Sequence, residues 1–370
     1  MRRKLAVILS LALTVLILVG ATAPTAVMAA TASKIGVVLP TNSESRWPMA
    51  LKQFKAIDPN LQILYSDNNP ATEKTNVETL VNKGCKVIII CPFDGKAAAA
   101  EADYAKSKGV TVISYDRMIM NTKSVDYYVT FDSIAVGQAQ GQYLVDQAKG
   151  KGKGLHLYLY CGATTDDNAF TFFQGSWKAL QPKIADGTFV VQNSPQATAL
   201  KNKATLTRAE QSSIIDPLST AWDAPTAKNL AQANLAKLPA SAKGTVYVLC
   251  PNDDTSRALT DTFRADPAIK TMFSTGQDFT KASIQYIIDG KQGMTVAKLD
   301  KFLVQDSMKI ANLVLANKKP GKDLIKQQYD NGAKKIDSTL DQITSVTKTN
   351  VKAIIQESGL YKLTDFTNLK

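Results

Sequence analysis

The chain has 370 residues, of which 45% are hydrophobic and 21% are charged, and its formal net charge is +12. This length exceeds what one hydrophobic core usually serves, so we expect a globular protein with two domains. The basic residues are dispersed and form neither an arginine-rich run nor an alternation with aromatic residues, which argues against a nucleic-acid partner.

The first 30 residues have the composition of a secretory signal peptide. Residues 2–4 are cationic, residues 5–19 are mostly apolar, and residues 26–30 are mostly small. A membrane anchor is the alternative, which the shortness of the apolar stretch disfavours. No cysteine lies near the expected cleavage point, so no lipid anchor is indicated. We therefore expect an exported protein, periplasmic or extracellular, from which residues 1–30 are removed.

Strands and helices alternate in the first part of the mature chain. Strands are predicted over residues 34–40, 61–67, 86–91, 110–115 and 126–131, and helices over 47–57, 73–83 and 97–108. Strands that are separated by helices of about ten or more residues pair in parallel and form a doubly wound sheet. This segment therefore predicts one α/β lobe.

The alternation restarts after residue 132. Helices are predicted over 135–148, 168–184, 226–238, 256–265 and 281–289, and strands over 155–161, 189–192, 246–249, 270–274 and 294–298. Residues 194–221 are polar and stay unassigned. We predict an α/β fold of two doubly wound parallel-sheet lobes that are joined by a three-crossing hinge. The first lobe would comprise residues 34–132 plus 299–322, and the second 133–298 plus 323–370.

Four cysteines in an exported chain raise the question of disulfide bonds. Cys85 and Cys91 bracket one predicted strand and would lie about 20 Å apart, too far for a bridge. A bridge between Cys161 and Cys250 stays open, although buried free thiols are the expectation for all four. His156 is the sole histidine and lies within an apolar strand, so neither a zinc site nor another cofactor is predicted.

Several predicted strands end on an aspartate, and one ends on the pair Asp116-Arg117. The other aspartates of this kind are Asp67, Asp94, Asp132, Asp253 and Asp278. In open parallel sheets, ligands bind beyond the carboxyl ends of the strands. The repeated acids therefore predict a polar rim that faces a cleft between the lobes.

Six short motifs follow one another along the chain. They are PTNSESRW at 40–47, YDRMI at 115–119, YYVTFD at 127–132, DDNAF at 166–170, AWDAP at 221–225 and GQD at 276–278. Together they resemble the motifs of exported monosaccharide-binding proteins of ABC transporters, which have the type I periplasmic binding protein fold. The similarity is greatest to the xylose-binding and multiple-sugar-binding branch.

The resemblance implies a monomeric receptor, without a cofactor, that captures one monosaccharide and delivers it to a transporter permease. An aldopentose or aldohexose is expected, with xylose as the first guess, and a membrane sensor is a further candidate partner. The implied hydrogen-bonding residues are Arg46, Asp116, Arg117, Asn168, Asn252, Asp278 and Lys298, and the implied stacking aromatics are Trp47 and Trp222. Indole rings suit the C–H faces of a sugar, and charged groups suit its hydroxyls.

The assignments of these residues and of this function each have alternatives. Asp116 and Arg117 would also fit a structural ion pair, Asn168 a helix N-cap, and the two tryptophans ordinary core positions. A carboxylate-rich sugar cleft would also fit a glycosidase, but an acid beside an arginine suits an acceptor better than a general acid. A sugar-sensing transcription factor is disfavoured by the leader and by the lack of an N-terminal helix-turn-helix. We therefore expect a binding protein and no enzymatic activity.

Overall fold

The computed structural model describes residues 33–369, and all of these lie in one compact unit. The predicted signal peptide, residues 1–30, lies outside the described residues. Within the described part of the chain, none of the helices has the length and apolar character that crossing a membrane requires.

The first sheet is built from alternating strands and helices. These are β1 (Ile35–Leu39), α1 (Arg46–Ile57), β2 (Gln62–Tyr65), α2 (Pro70–Asn82), β3 (Val87–Ile90), α3 (Ala99–Ser107), β4 (Thr111–Tyr115) and β5 (Tyr127–Val129). The strands β2, β1, β3, β4 and β5 pair in that order, all in parallel. Residues of β3 are completely buried because helices cover both faces of the sheet, as the continuous apolar run of that strand indicates.

The second lobe follows the same plan. Its elements are α4 (Ser133–Ala148), β6 (Leu155–Leu159), α5 (Asp167–Ala185), β7 (Phe189–Val191), α6 (Pro195–Ala199), α7 (Arg208–Ile215), α8 (Ala224–Lys237), β8 (Gly244–Leu249), α9 (Asp253–Ala265), β9 (Ile269–Ser274), α10 (Lys281–Ile288) and β10 (Met294–Ala297). Strands β7, β6, β8 and β9 pair in parallel in that order. The prediction of two parallel-sheet α/β lobes is confirmed.

The stretch 194–221, which the sequence left unassigned, contains two short helices. Ser194 caps α6 by accepting a hydrogen bond from the N–H of Ala197. Thr207 and Glu210 form a reciprocal capping box at the start of α7. Helices of five and eight residues show too little periodicity to be recognised from sequence alone.

Helices α4 and α5 pack closely on the second sheet. A side chain at Gly137 would place its Cβ 1.8 Å from the carbonyl oxygen of Phe172, and one at Gly175 would place its Cβ 2.0 Å from that of Ile134. Glycine is therefore needed at both positions for the two helices to approach each other. This contact fixes the N-terminal ends of both helices, which face the first lobe.

The last part of the chain serves both lobes. It comprises α11 (Asp300–Leu315), β11 (Gln327–Asp330), β12 (Lys335–Ser338), β13 (Thr344–Thr347) and α12 (Val351–Ser358). Helix α11 packs against α1 and β4 of the first lobe. Strands β11 and β12 extend the first sheet beside β5, whereas β13 pairs with β10 of the second lobe.

The prediction that the second lobe resumes at residue 323 is therefore wrong for residues 327–338. The chain crosses to the second lobe between Ser338 and Thr344, and not at residue 323. The physical reason is the buried Ile336, which packs in the apolar core of the first lobe together with Tyr128. The crossing itself runs beside the one that follows β5, since Phe131 and Asp341 form a parallel bridge.

Candidate ligand-binding site

All nine residues that the sequence predicts as ligand-binding line one small cavity between the lobes. They are Arg46, Trp47, Asp116, Arg117, Asn168, Trp222, Asn252, Asp278 and Lys298. Most of them follow the carboxyl end of a strand, as expected for an open parallel sheet. The cavity is therefore formed by both lobes and by the segment that leads out of β10.

Arg46 lies at the centre of a buried ionic cluster. Its Nη2 is 2.5 Å from Oδ2 of Asp116 and 2.8 Å from Oδ1 of Asp300, and its Nη1 is 3.3 Å from Oδ1 of Asp278. The Nζ of Lys298 lies 3.1 Å from the same oxygen of Asp278 and 4.0 Å from Oδ2 of Asp116. Because Arg46 belongs to the first lobe and Asp278 to the second, this cluster bridges the cleft.

Arg117 forms a second cluster that also bridges the lobes. Its Nη2 lies 3.2 Å from Oε2 of Glu44 in the first lobe, and its Nε lies 3.2 Å from Oδ2 of Asp166 in the second. The guanidinium carbon is 5.0 Å from the ring centroid of Trp47, which is within the range of a cation–π interaction. Asp116 and Arg117 are therefore not paired with each other, and each has its own partners in the cleft.

Three cavity residues have a left-handed backbone. The φ angles are 59° at Asp116, 60° at Trp222 and 104° at Asp278. Non-glycine residues seldom adopt positive φ, and such conformations are concentrated at functional sites. At Asp116, the backbone N–H donates to the carbonyl of Val129, 2.8 Å away. The chain therefore turns at the end of β4, and the carboxylate of Asp116 reaches the cavity.

Aromatic rings from both lobes contribute the apolar part of the cavity wall. Trp47 is 1% exposed and Trp222 is 5% exposed, and the ring of Phe172 lies edge-on to Trp222 with centroids 6.2 Å apart. A Cβ at Gly162 would lie 2.1 Å from Cη2 of Trp222, so only glycine leaves room for this indole. Trp222 is therefore positioned by packing as well as by its backbone.

The two predicted asparagines have different roles in their helices. Asp166, and not Asn168, caps α5, so the alternative assignment of Asn168 as the N-cap is wrong. The side chain of Asn168 accepts from Ser133 Oγ at 2.9 Å and donates to the carbonyl of Asp116 at 3.0 Å, across the cleft. Asn252 does cap α9, through the N–H of Thr255, while it also lines the cavity.

The carboxyl groups in the cavity differ in their ionisation. Burial raises the pKa of Glu44 to about 7, and Arg117 offsets only part of the shift. Burial likewise raises the pKa of Asp166 to about 6 against the opposing effect of Arg117. Burial would also raise the pKa of Asp116, but Arg46 and two further cations outweigh it and hold that pKa below the usual value. Asp116 is therefore an ionised acceptor at neutral pH, whereas Glu44 and Asp166 change their ionisation close to neutral pH.

The sequence missed five residues of this region. Four of them line the cavity, namely Glu44, Asp166, Phe172 and Gln277, and the fifth is Asp300, which contacts Arg46. Glu44, Asp166 and Gln277 lie inside the quoted motifs beside predicted residues, so adjacency was the available signal. Phe172 follows Asn168 by four residues and so lies on the same face of α5.

The described residues contain neither a candidate metal site nor a disulfide bond. No cluster of histidine, cysteine and acidic side chains within residues 33–369 could hold a metal ion. Cys85, Cys91, Cys161 and Cys250 are buried free thiols. What the cavity offers is a set of charged hydrogen-bonding groups beside aromatic rings, which matches the hydroxyls and C–H faces of a neutral polyhydroxylated ring.

Comparison with known proteins identifies a family and several similar proteins. The family described as "Periplasmic binding protein domain" matches residues 35–319. The multiple sugar-binding periplasmic protein SbpA of Azospirillum brasilense is 31% identical, over 96% of this chain and 97% of that protein. The multiple sugar-binding periplasmic receptor ChvE of Rhizobium radiobacter is also 31% identical, over 90% of this chain and 92% of that protein.

A solved structure is more similar still. The carbohydrate transporter solute-binding protein of Chloroflexus aurantiacus, in complex with D-glucose, is 52% identical to this chain. The two superpose with a TM-score of 0.88, over 91% of this chain and 99% of that one. The predicted fold class is therefore shared with a solved relative.

Proposed function

Since the chain belongs to the periplasmic binding protein family, we propose that it is the sugar-binding receptor of an ABC transporter. The observation that carries this proposal is the cavity between the lobes, in which ionised acceptors, guanidinium donors and indole rings from both lobes surround one space. The relatives are described as binding proteins, which favours capture of the ligand over its conversion.

D-Glucose is the ligand that we propose first. The 52% identical relative was solved with D-glucose, and the two 31% identical relatives are described as binding multiple sugars. D-Xylose, the first expectation from sequence, remains in the proposal as the pentose to compare, because it lacks only the hydroxymethyl group of glucose.

In this proposal the charged residues bind hydroxyls and the indoles bind ring faces. Asp116 and Asp278 accept hydrogen bonds from hydroxyls, while Arg46 and Arg117 donate to hydroxyl oxygens. Asn168, Asn252 and Lys298 complete the polar contacts. Trp47 and Trp222 stack on C–H faces of the ring. The two clusters hold these side chains in place before the ligand arrives, which limits the conformational entropy that binding loses.

The mechanism is closure of the two lobes around the sugar. A sugar that contacts Asp116 in the first lobe and Asp278 in the second can contact both only in the closed state, so it shifts the equilibrium towards closure. Direct contacts between the lobes add to this. The N–H of Ser45 donates to Oδ2 of Asp254 at 2.8 Å, and the N–H of Gly95 donates to the carbonyl of Thr165 at 3.0 Å.

We further propose that the closed form is presented to a transporter permease outside the cytoplasm. The export of the mature chain after removal of residues 1–30 belongs to this proposal, as does a membrane sensor that reads the closed form. A monomeric receptor belongs to this proposal as well, since residues from both lobes of one chain line the cavity.

A thermal-shift panel on the purified mature chain tests the proposal. The panel contains D-glucose, D-galactose, D-xylose and L-arabinose, with mannitol as an open-chain control. We expect at least one of the cyclic sugars to raise the melting temperature, and a tighter-binding sugar to raise it more at the same concentration, because the sugar binds only the folded state. If no sugar raises the melting temperature at millimolar concentration, the proposed function is wrong.

A glycosidase is the alternative from another class. The elevated pKa values of Glu44 and Asp166 favour it, since a general acid must hold a proton near neutral pH. However, both carboxyl groups contact Arg117, whose positive charge favours their ionised forms and therefore opposes a general-acid role for either residue. Incubation with p-nitrophenyl glycosides distinguishes a glycosidase from a binding protein. We expect nitrophenol to be released no faster than with heat-denatured protein.

A further inference from the structure

Asp300 is a buried carboxylate that contacts the ionic cluster without lining the cavity. It is the first residue of α11 and is 1% exposed. Its Oδ1 lies 2.8 Å from Nη2 of Arg46, the same nitrogen that donates to Asp116 at 2.5 Å. Arg46 and Asp116 line the cavity, whereas Asp300 contacts Arg46 from outside it.

The contact between Asp300 and Arg46 is ionic and not a directed hydrogen bond. Within residues 33–369, neither oxygen of Asp300 has a hydrogen-bond partner with suitable angles. The hydrogen bonds of the Arg46 guanidinium go instead to Asp116, from Nη2, and to Asp278, from Nη1. Asp300 therefore attracts the charge of Arg46 while leaving its N–H groups directed at the cavity residues.

The position of Asp300 in the chain connects the site to the hinge. Asp300 follows Lys298 by two residues, at the point where the chain returns from β10 in the second lobe to α11 in the first. Helix α11 packs against α1, which begins with Arg46, and against β4, which precedes Asp116. A movement of this crossing would therefore change the distance between Asp300 and Arg46.

We propose that Asp300 is a positioning residue that holds the guanidinium of Arg46 between Asp116 and Asp278. The consequence for sugar affinity rests on the proposed function, but the positioning of Arg46 does not.

The groups that face Asp300 are Arg46, Asp116, Asp278, Lys298, Tyr115 and Tyr361. Burial raises the pKa of Asp300 to about 7, and the negative charges of Asp116 and Asp278 add to the shift while Arg46 and Lys298 oppose it. Asp300 therefore loses its charge, and with it the ionic contact to Arg46, as the pH falls below this value.

Glu44 and Asp166 line the same cavity and are also buried carboxyls with elevated pKa values. The contribution of Asp300 must therefore be measured as a difference between variants.

The first experiment needs no sugar and tests positioning directly. Thermal midpoints are measured for wild type, Asp300→Ala, Arg46→Met and the double variant. In the Arg46→Met background, Asp300 is a buried carboxylate that has lost its nearest cation, so we expect Asp300→Ala to raise the midpoint there and to lower it in wild type. Equal shifts in both backgrounds would show that Asp300 acts without Arg46, and would overturn the proposal.

The second experiment measures D-glucose affinity by titration calorimetry at pH 6, 7 and 8. Asp300→Ala should bind about tenfold more weakly than wild type at pH 8, and the loss should be smaller at pH 6, because only the ionised acid makes the contact that fixes Arg46. Asp300→Asn keeps an oxygen beside Arg46 and resembles the protonated acid. It should therefore match wild type at pH 6 and bind more weakly than wild type at pH 8. Asp306→Asn, on the same helix and outside the site, is the matched control and should behave as wild type.

Each result of the second experiment has a distinct meaning. Wild-type affinity in Asp300→Ala at pH 8 would overturn the positioning role, and wild-type affinity in Asp300→Asn at pH 8 would overturn the claim that the charge of Asp300 holds Arg46. If wild type itself binds none of the sugars in the thermal-shift panel, the proposed function is wrong. The sugar-free experiment then still decides whether Asp300 positions Arg46.

Discussion

Replacement of Asp116 is the most direct test of the proposed site. Oδ2 of Asp116 accepts from Arg46 at 2.5 Å, and the backbone has a φ of 59°. Asparagine tolerates this left-handed conformation and has nearly the same volume, so Asp116→Asn removes the charge with little effect on the backbone. Alanine removes both the charge and the oxygen and also tolerates the conformation less well.

The expected loss of affinity follows from the burial of this carboxylate, which is 5% exposed. Removing one partner of a buried, charged hydrogen bond costs about 2–5 kcal/mol of binding free energy. Asp116→Asn keeps a neutral acceptor and should lose about 2 kcal/mol, or about 30-fold in affinity. Asp116→Ala should lose more, and should in addition lose about 1–2 kcal/mol of folding stability because of its backbone conformation.

Calorimetric titration with the sugar that gives the largest thermal shift measures the binding loss, and thermal unfolding without sugar measures the stability. The comparison of the two variants separates the effect of removing the charge from the effect of the strained backbone conformation. Asp126→Asn, which removes an acid of the same lobe outside the cavity, is the control. Binding by Asp116→Asn within twofold of wild type would refute the assignment of Asp116 as a ligand residue.

Three further predictions address other parts of the molecule. Trp222→Ala should weaken sugar binding by about 1–3 kcal/mol and reduce the contraction that small-angle scattering detects at saturating sugar; equal contraction would contradict its role across the cleft. Burial and the neighbouring Glu73 raise the pKa of Glu101 from 4.5 to about 9. The native state therefore holds a proton that the unfolded chain releases, and stability falls as the pH rises through this range. Glu101→Gln should accordingly have a higher melting temperature than wild type at pH 8 but not at pH 5. The control Glu357→Gln, at an exposed position, should melt as wild type does at both pH values. Equal pH dependence of wild type and Glu101→Gln would contradict the elevated pKa of Glu101. Thiol titration of the denatured, unreduced protein should find four thiols, and two would contradict the absence of a bridge.

The fold was accessible from sequence wherever a strand or helix has a pattern of its own. The run Val87–Ile90 is continuous and apolar, and it forms a buried central strand. Strands β11 and β12 have four residues each and include polar side chains at most positions. Their place in the first sheet depends on a few contacts, such as that of Ile336 in the apolar core, which no local pattern reveals.

The site was accessible to the extent that its residues follow strand ends or stand in recognisable motifs. Arg46, Asp116 and Asp278 each satisfy both conditions, and the structure places them around one cavity. Their role as sugar ligands stays a prediction until a sugar is bound. Asp300 also follows a strand end, but it stands in none of the motifs and is separated from Arg46 by 254 positions along the chain. Its contact exists only because α11 returns to the first lobe beside α1.

The hinge supplies part of the site and is more than a tether between the lobes. Lys298 lies at the second crossing, and its Nζ is 5.7 Å from the ring centroid of Phe131 at the first crossing and 5.3 Å from that of Phe172 in the second lobe. The same ammonium pairs with Asp278 at 3.1 Å. A rotation of the lobes about these crossings must therefore change the surroundings of Lys298 together with the width of the cleft. A ligand that fixes Lys298 and Asp278 consequently acts on the hinge directly, and not only by joining the two rims of the cavity.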